Sequence, residues 1–256
     1  MARLTPQDKQ GIRRRFERAA ATYDANSPVQ RALAERLAAH LESAATSILE
    51  LGCGTGAFTS LLRARYPEAE IVAVDFAPAM VTRARKRVPS ATFLDCDIEE
   101  LTFEPGRYDL VVSNATVQWL SDPARTFEQI AASLRPDGRL TLSTFGPRTF
   151  WELDSVLAEL GHERGLRLLS TQEWETLLVG AGLHRIRAAT DEERFSYPDS
   201  VSFFRSVKAS GANYAPNVLP RNVLLELIKR YDERFGDGSS VSATYELVII
   251  DAARPT

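Results

Sequence analysis

Chemistry in this chain concentrates first at Glu50-Leu51-Gly52-Cys53-Gly54-Thr55-Gly56, which joins the apolar run SILEL to the helical pattern FTSLLRAR. Glycines in a strand-to-helix turn let the backbone bend sharply and approach a ligand beside the amide-rich start of the helix. Asp75 closes the next apolar run, IVAV, where a carboxylate can hold ribose hydroxyls. Asp97, in Cys96-Asp97-Ile98, follows a third run, ATFLD. An acid there can accept the exocyclic amine of an adenine while Ile98 packs on the ring. Gly52, Gly54 and Ala57 also satisfy the loose G-x-G-x-x-A dinucleotide pattern. A nicotinamide-dependent oxidoreductase and a non-catalytic nucleotide-binding module therefore stay open at this point. Against them, about 45 residues of helical pattern come first, whereas a dinucleotide fold normally opens on its fingerprint. Cys53 reads as a small loop filler, since no histidine lies near it in sequence. The acidic stretch from Asp95 to Asp109 reads mostly as solvated surface.

These residues need a frame. Ile12, Phe16, Ala19, Ala20 and Tyr23 recur at helical spacing and predict one amphipathic helix over 7–24. Ser27-Pro28 reads as N-cap and first position of a second helix, with Val29, Leu33, Leu37 and Leu41 on one side. From Ser47 onward short apolar runs alternate with helical stretches, which indicates parallel βαβ units with helices on both sheet faces. Pro78 and Pro123 fall at first-turn positions, Asp122 is an N-cap candidate, and Ser170-Thr171-Gln172-Glu173 has capping-box spacing. Strand-like stretches recur at HRIRAATDEERFS and ATYELVIIDAA, and residues 197–239 between them hold two more helical patterns. That is too long for a hairpin and predicts an inserted helical cap.

Composition excludes several classes. The 256 residues are 44% apolar and 25% charged, typical of a soluble globular chain. Formal charge is −3, which argues against a generic nucleic-acid binder. Two cysteines, Cys53 and Cys96, make no disulfide framework, and three scattered histidines make no His-rich metal centre. Neither a membrane-spanning run nor a signal-peptide core is present, so a cytoplasmic protein is expected.

The ordered set E-x-G-x-G-x-G, strand-ending Asp75 and strand-ending Cys96-Asp97-Ile98 resembles the class I S-adenosylmethionine-dependent methyltransferases. That resemblance implies a Rossmann-like α/β fold. Its sheet has seven mostly parallel strands and an antiparallel last one, with N-terminal helices and a helical cap insertion. It implies Asp75 on the ribose, Asp97 near adenine, and Gly52 and Gly54 beside the methionine moiety. Tyr23, Glu50, Cys53, Gly56, Phe76, Met80, Ile98, Ser113 and Asn114 complete the expected cofactor contacts.

Four further segments carry the acceptor. They are F16-E-R-A-A-A-T-Y-D24, S113-N-A-T-V-Q-W-L120, F204-R-S-V-K-A-S-G-A212 and T244-Y-E-L247. Together they resemble the malonyl-acyl-carrier-protein O-methyltransferases of biotin synthesis, over about residues 12–252. Several small-acid methyltransferases share the S-N-x-x-x-Q-W element, so methylation of a free acid such as trans-aconitate is the nearer alternative. Asn213-Tyr214 depart from the family's pattern, and no role is assigned to either residue. The resemblance implies a single methyltransferase domain over 1–256. Within it lie a helical segment at 1–45, a sheet core at 46–196 and 240–256, and the cap at 197–239.

A carboxylate acceptor is already anionic at neutral pH, so no general base is needed and catalysis reduces to alignment and exclusion of water. Arg205, then Lys208, are the expected clamps on the malonyl carboxylate, with Phe16, Tyr23, Gln118 and Trp119 as the other substrate contacts. Acyl carrier proteins are acidic. The arginines Arg13, Arg14, Arg15 and Arg18 thus make the first helix the expected docking face, with malonyl-CoA as the other thioester donor and a monomer as the expected state.

Overall fold

The computed structural model describes residues 4–42, 44–211 and 219–256. Asn213 and Tyr214 lie outside the described residues, as does Ala212 at the end of the cap motif. Strands β1 (Ser47–Leu51), β2 (Glu70–Asp75), β3 (Thr92–Asp95), β4 (Tyr108–Asn114), β5 (Leu134–Phe145), β6 (His184–Tyr197) and β7 (Val241–Ala253) form one sheet. Their order is β3-β2-β1-β4-β5-β7-β6, with β1 to β5 parallel and β7 antiparallel to both β5 and β6. Strand order reverses between β1 and β4, and the crevice beyond their C-terminal ends is where an open α/β sheet takes its ligand.

Central strands read as continuous apolar runs because both faces are covered. Side chains alternate between them: Leu49, Val72 and Val111 enter one core with Phe127, Trp174 and Leu178. Ile48, Ile71 and Leu110 enter the other with Leu37, Phe58 and Leu62. Helices α4 (Ala57–Arg65), α5 (Pro78–Arg87), α6 (Pro123–Ser133), α7 (Trp151–Glu159) and α8 (Thr171–Gly180) follow the strands, the numbering continuing from the three helices below. Pro78 and Pro123 stand in the first turns of α5 and α6, and the Asp122 side chain accepts from the Arg125 amide. Ser170 and Glu173 form the expected capping box on α8. Pro136-Asp137-Gly138 falls inside the strand as an irregularity of β5, with Asp137 at φ +59°, instead of preceding it as a turn.

The N-terminal segment departs from the single helix expected over 7–24. Helix α1 (Pro6–Ala19) stops, a turn follows, and α2 (Tyr23–Asn26) is one separate turn before α3 (Pro28–His40). The break has a local cause. Asp24 is drawn to Thr55 Oγ1, whose hydroxyl donates to it at 2.5 Å, and to the Arg87 guanidinium. Reaching both requires the chain to leave the axis of α1.

Between β6 and β7 lie α9 (Ser200–Ala209) and α10 (Arg221–Phe235). Their inner faces meet in an aromatic core of Phe203, Tyr231, Phe145 and Tyr245, which also receives Val29 and Leu33 of α3. The second helix and the cap therefore share one buried cluster. A Cβ placed on Gly211, at φ +76°, would come within 3.1 Å of the Phe16 ring, so the end of the cap motif rests directly on α1.

Candidate functional site

A cavity of about 380 Å³ opens at the C-terminal ends of β1, β2 and β4, a size that suits a small-molecule ligand. Its floor is the glycine loop. Gly52, Gly54 and Gly56 all have positive φ, at +77°, +52° and +81°. Each has its own reason. A Cβ on Gly52 would lie 2.1 Å from Thr116 Oγ1, and one on Gly56 would lie 2.9 Å from the Ala84 backbone of α5. A Cβ on Gly54 would meet nothing within 4 Å, because this residue borders the cavity itself.

Asp75 stands at the loop's flank. Its Oδ2 accepts from the Gly54 amide and its Oδ1 from the Ala77 amide, both at 2.9 Å. Burial pushes its carboxyl up to about 6 against those two bonds. Two lone pairs remain for a ligand's hydroxyls. Glu50 lies beneath the loop, outside the cavity lining, with Oε2 accepting from Thr59 at 2.6 Å and Oε1 buried without a partner. Burial pushes this acid up to about 8, tempered by the Thr59 hydroxyl. Burial likewise raises the Cys53 thiol well above its ordinary value, which leaves it an inert wall atom.

Asp97 and Ile98 line the opposite end. Asp97 grips Lys9 of α1 at 2.8 and 2.6 Å, and its Oδ1 also accepts from the Glu99 amide, so mainly Oδ2 keeps a lone pair for an adenine amine. Glu99 completes the anchor: it pairs with Lys9 and accepts from the amides of Ser121 and Asp122. Burial would raise the Glu99 carboxyl, but Lys9 and those amides hold it below the usual range. Part of the acidic stretch is therefore a tether for the N-terminal helix and not solvated surface.

Aromatic rings roof the cavity. Phe16 lies 5.9 Å from Trp119 in an edge-to-face contact, 6.2 Å from Phe76 and 6.3 Å from Tyr23. Burial lifts the Tyr23 hydroxyl to about 12, with the Ser27 hydroxyl opposing the shift. Tyr23 is held from below. Asp24, next to it, bonds Thr55 of the glycine loop and Arg87 of α5, and Arg87 also donates to Thr55 at 3.0 Å.

Of the residues expected from sequence, the structure brings Phe16, Tyr23, Gly52, Cys53, Gly54, Asp75, Phe76, Met80, Asp97, Ile98, Asn114 and Trp119 to one cavity. Others stand behind it. Gly56 packs against α5, and the Ser113 hydroxyl donates to the Leu51 carbonyl at 2.9 Å within the sheet. Gln118 is turned inward, its Nε2 donating to the Ala115 carbonyl at 2.8 Å and its Oε1 accepting from Thr144 at 3.1 Å. Arg205 and Lys208, expected as clamps, are not brought to the cavity: both lie on the exposed side of α9 and outside its lining. Phe203 is the reason. Its ring is fully buried, and at 100° per residue Arg205 sits about 200° around the helix from it. Arg205→Ala is accordingly expected to change kcat/KM for a malonyl thioester by less than about fivefold, since truncating a charge in contact with substrate would cost more. Steady-state kinetics would check this, and a larger loss would return Arg205 to the site.

Ser27, Gln30 and Arg31 also line the cavity, and sequence reasoning did not place them there. The signal existed only as an ordinary helix start at Ser27-Pro28, which does not say which side of the helix meets the cavity.

Comparison with known proteins agrees with this geometry. The family described as "Methyltransferase domain" matches residues 48–138. A malonyl-[acyl-carrier protein] O-methyltransferase of Paenibacillus sp. (strain JDR-2) is 38% identical, covering 95% of this chain and 98% of its own. One from Brevibacillus brevis is 33% identical, covering 95% and 96%. Among solved structures, a putative methyltransferase of Bacillus halodurans superposes with a TM-score of 0.63 at 17% identity, covering 88% of this chain and 99% of that one.

Proposed function

Because the chain belongs to the malonyl-acyl-carrier-protein O-methyltransferases, we propose that it methylates the free carboxylate of a malonyl thioester using S-adenosylmethionine. The product is the malonyl methyl ester that primes pimeloyl assembly on the way to biotin. The observation that carries the reading is the cavity itself: an open glycine floor, a strand-ending acid at each end and an aromatic roof contributed by the N-terminal helices.

The residues present fit the donor. Asp75 has two free lone pairs for ribose hydroxyls, Asp97 and Ile98 suit an adenine, and Gly54 leaves open space where the methionine moiety would pass. S-adenosylmethionine held there supplies a methyl carbon on a positively charged sulfur, open to an oxygen anion. No histidine lines the cavity among the described residues, and none is required, because a carboxylate acceptor brings its own negative charge. What the chain must do is align and dehydrate. Phe16, Tyr23, Phe76 and Trp119 form a wall that keeps water from the acceptor and lowers the local dielectric. In this reading the chain is one methyltransferase domain, and the helical segment 1–45 and the cap 197–239 cover the acceptor.

A methyl-transfer assay with malonyl-carrier protein, malonyl-CoA, free malonate and trans-aconitate side by side tests the reading. Turnover with the two thioesters is expected; turnover with the free acids alone would replace it with a small-acid methyltransferase.

For the partner, α1 carries the basic face an acidic carrier protein needs. Arg13, Arg14 and Arg18 are exposed on it, and among the described residues only Arg13 of the three is in an ion pair, to Glu17. Reversing Arg14 and Arg18 to Glu is expected to raise KM for malonyl-carrier protein about tenfold at low salt while sparing malonyl-CoA. Equal effects on both substrates would remove α1 from docking. None of the described helices is long and apolar enough to cross a membrane.

A further inference from the structure

We propose that Lys9 and Asp24 are positioning residues for methyl transfer: each ties one end of the N-terminal segment 6–26 to the wall of the cavity, and together they hold Phe16 and Tyr23 over the acceptor. The inference rests on the methyl-transfer reading above. Both residues act through the two rings they hold.

Lys9, near the start of α1, makes the first attachment. Its ammonium donates to both oxygens of Asp97, at 2.8 and 2.6 Å, and pairs with Glu99. The three side chains are 16–21% exposed, so water and salt screen the attraction weakly. Glu99 is itself fixed by the amides of Ser121 and Asp122. Asp24 makes the second attachment at the other end. Its Oδ1 accepts from the Thr55 hydroxyl at 2.5 Å, and its Oδ2 pairs with Arg87. Arg87 closes the triangle by donating to Thr55 at 3.0 Å. Burial would raise the Asp24 carboxyl, but Arg87 and Thr55 hold it below the usual range.

Between these attachments the apolar anchorage is slight. The buried apolar residues of the segment are Ile12, Ala19 and Ala20, two of them alanines. Ala20 packs on Ala77 and Met80, with Phe16 and Tyr23 only partly buried beside that cluster. A segment with few buried apolar contacts opens locally at low cost, so the two polar attachments decide where it sits. The rings depend on that placement. Phe16 lies between the attachments and reaches Trp119 and Phe76 across the roof, and Tyr23 is the immediate neighbour of Asp24. A misplacement of about 1 Å can cost about a hundredfold in rate. The anchor points Asp97 and Thr55 both line the cavity, so the roof takes its register from the loops that would hold the methyl donor.

Lys9→Met and Asp24→Ala test the proposal, with Lys9→Arg beside them. At saturating S-adenosylmethionine, kcat with malonyl-CoA is expected to fall at least about fivefold in the first two. Calorimetric affinity for S-adenosylhomocysteine should change less than about threefold, since the rings and not the donor lose their place. Lys9→Arg keeps the charge and should hold kcat within about twofold of the wild type. A second readout needs no turnover. Arg13, Arg14 and Arg18 offer trypsin cleavage sites within α1, and cutting a folded helix requires it to open. Cleavage there is expected to be at least about fivefold faster in Lys9→Met and Asp24→Ala. The thermal midpoint should stay within about 4 °C of the wild type's, because both pairs are partly exposed. Any one of four results would overturn the proposal: a smaller fall in kcat, unchanged cleavage, an arginine no better than methionine at position 9, or a loss of S-adenosylhomocysteine affinity as large as the loss of rate. A wild-type protein that binds S-adenosylhomocysteine but methylates no malonyl thioester would sink the functional reading alone, with the cleavage rates still deciding whether the two attachments hold the segment.

Discussion

Gly52→Ala is expected to cost both the fold and the cofactor site. A Cβ there would lie 2.1 Å from Thr116 Oγ1 and 2.3 Å from its Cγ2, while the residue keeps a φ of +77°. Left-handed backbone costs an alanine about 1–2 kcal/mol, and overpacking a filled site adds about 1–3 kcal/mol. The sum is about 2–5 kcal/mol, which for a chain of this size lowers the thermal midpoint by roughly 5–15 °C. Affinity for S-adenosylhomocysteine should fall at least about a hundredfold, because the amides of Gly52 and Cys53 both donate to the Val74 carbonyl and hold the loop against β2. Gly54→Ala separates the two effects. Its Cβ meets nothing within 4 Å, so stability should drop by only about 1 kcal/mol, while binding still falls tenfold or more. Scanning calorimetry and titration on the two variants would show this. Equal behaviour would mean that Thr116 yields and that the close packing at Gly52 is unimportant.

Asp75 is the second large effect. It caps two amides and, in the proposed complex, two ribose hydroxyls. Asp75→Asn puts an amide donor opposite either the Gly54 or the Ala77 N–H, and it removes the negative charge. A hundredfold or greater loss of S-adenosylhomocysteine affinity is expected, equivalent to about 2.7 kcal/mol or more. The pH dependence has a definite sign. Burial raises this acid to about 6 in the ligand-free protein, above its ordinary 3.8. That favours the protonated folded state, so the associated stability is present below about pH 4 and is lost as pH rises through about 6. Hydroxyl donors favour the ionised form, so ligand affinity should fall as pH drops from 7.5 to 5, approaching tenfold per unit below the pKa. The thermal shift given by S-adenosylhomocysteine should therefore be larger at pH 7.5 than at pH 5. A pH slope that survives in Asp75→Asn would assign the titration to another group.

Much of the site was legible from local pattern. The glycine loop, Asp75 and Cys96-Asp97-Ile98 all sit at strand ends, where the backbone places a residue within a few ångströms of a known edge of the sheet. The helical pair between β6 and β7 follows from chain length and apolar periodicity, whereas the antiparallel last strand was implied only by the family resemblance. Local pattern stops short where the outcome turns on which side of a helix meets which neighbour. Arg205 and Lys208, three apart on α9, have the look of an anion clamp, but Phe203 and its contact with Tyr231 rotate that helix so that both cations face out. Gln118 stands beside Trp119 in sequence, yet backbone and Thr144 partners take both ends of its amide.

By itself the sequence determined the strand-turn-helix frame, the positions of the acids along it and the family to which their order belongs. Each of these depends on residues within a few positions of one another. Only the tertiary structure decided which charges remain available. Lys9 meets Asp97 across 88 positions and Arg87 meets Asp24 across 63, and those pairings consume them. An ion pair between distant segments leaves no local pattern, because its geometry is set by how the helices pack on the sheet.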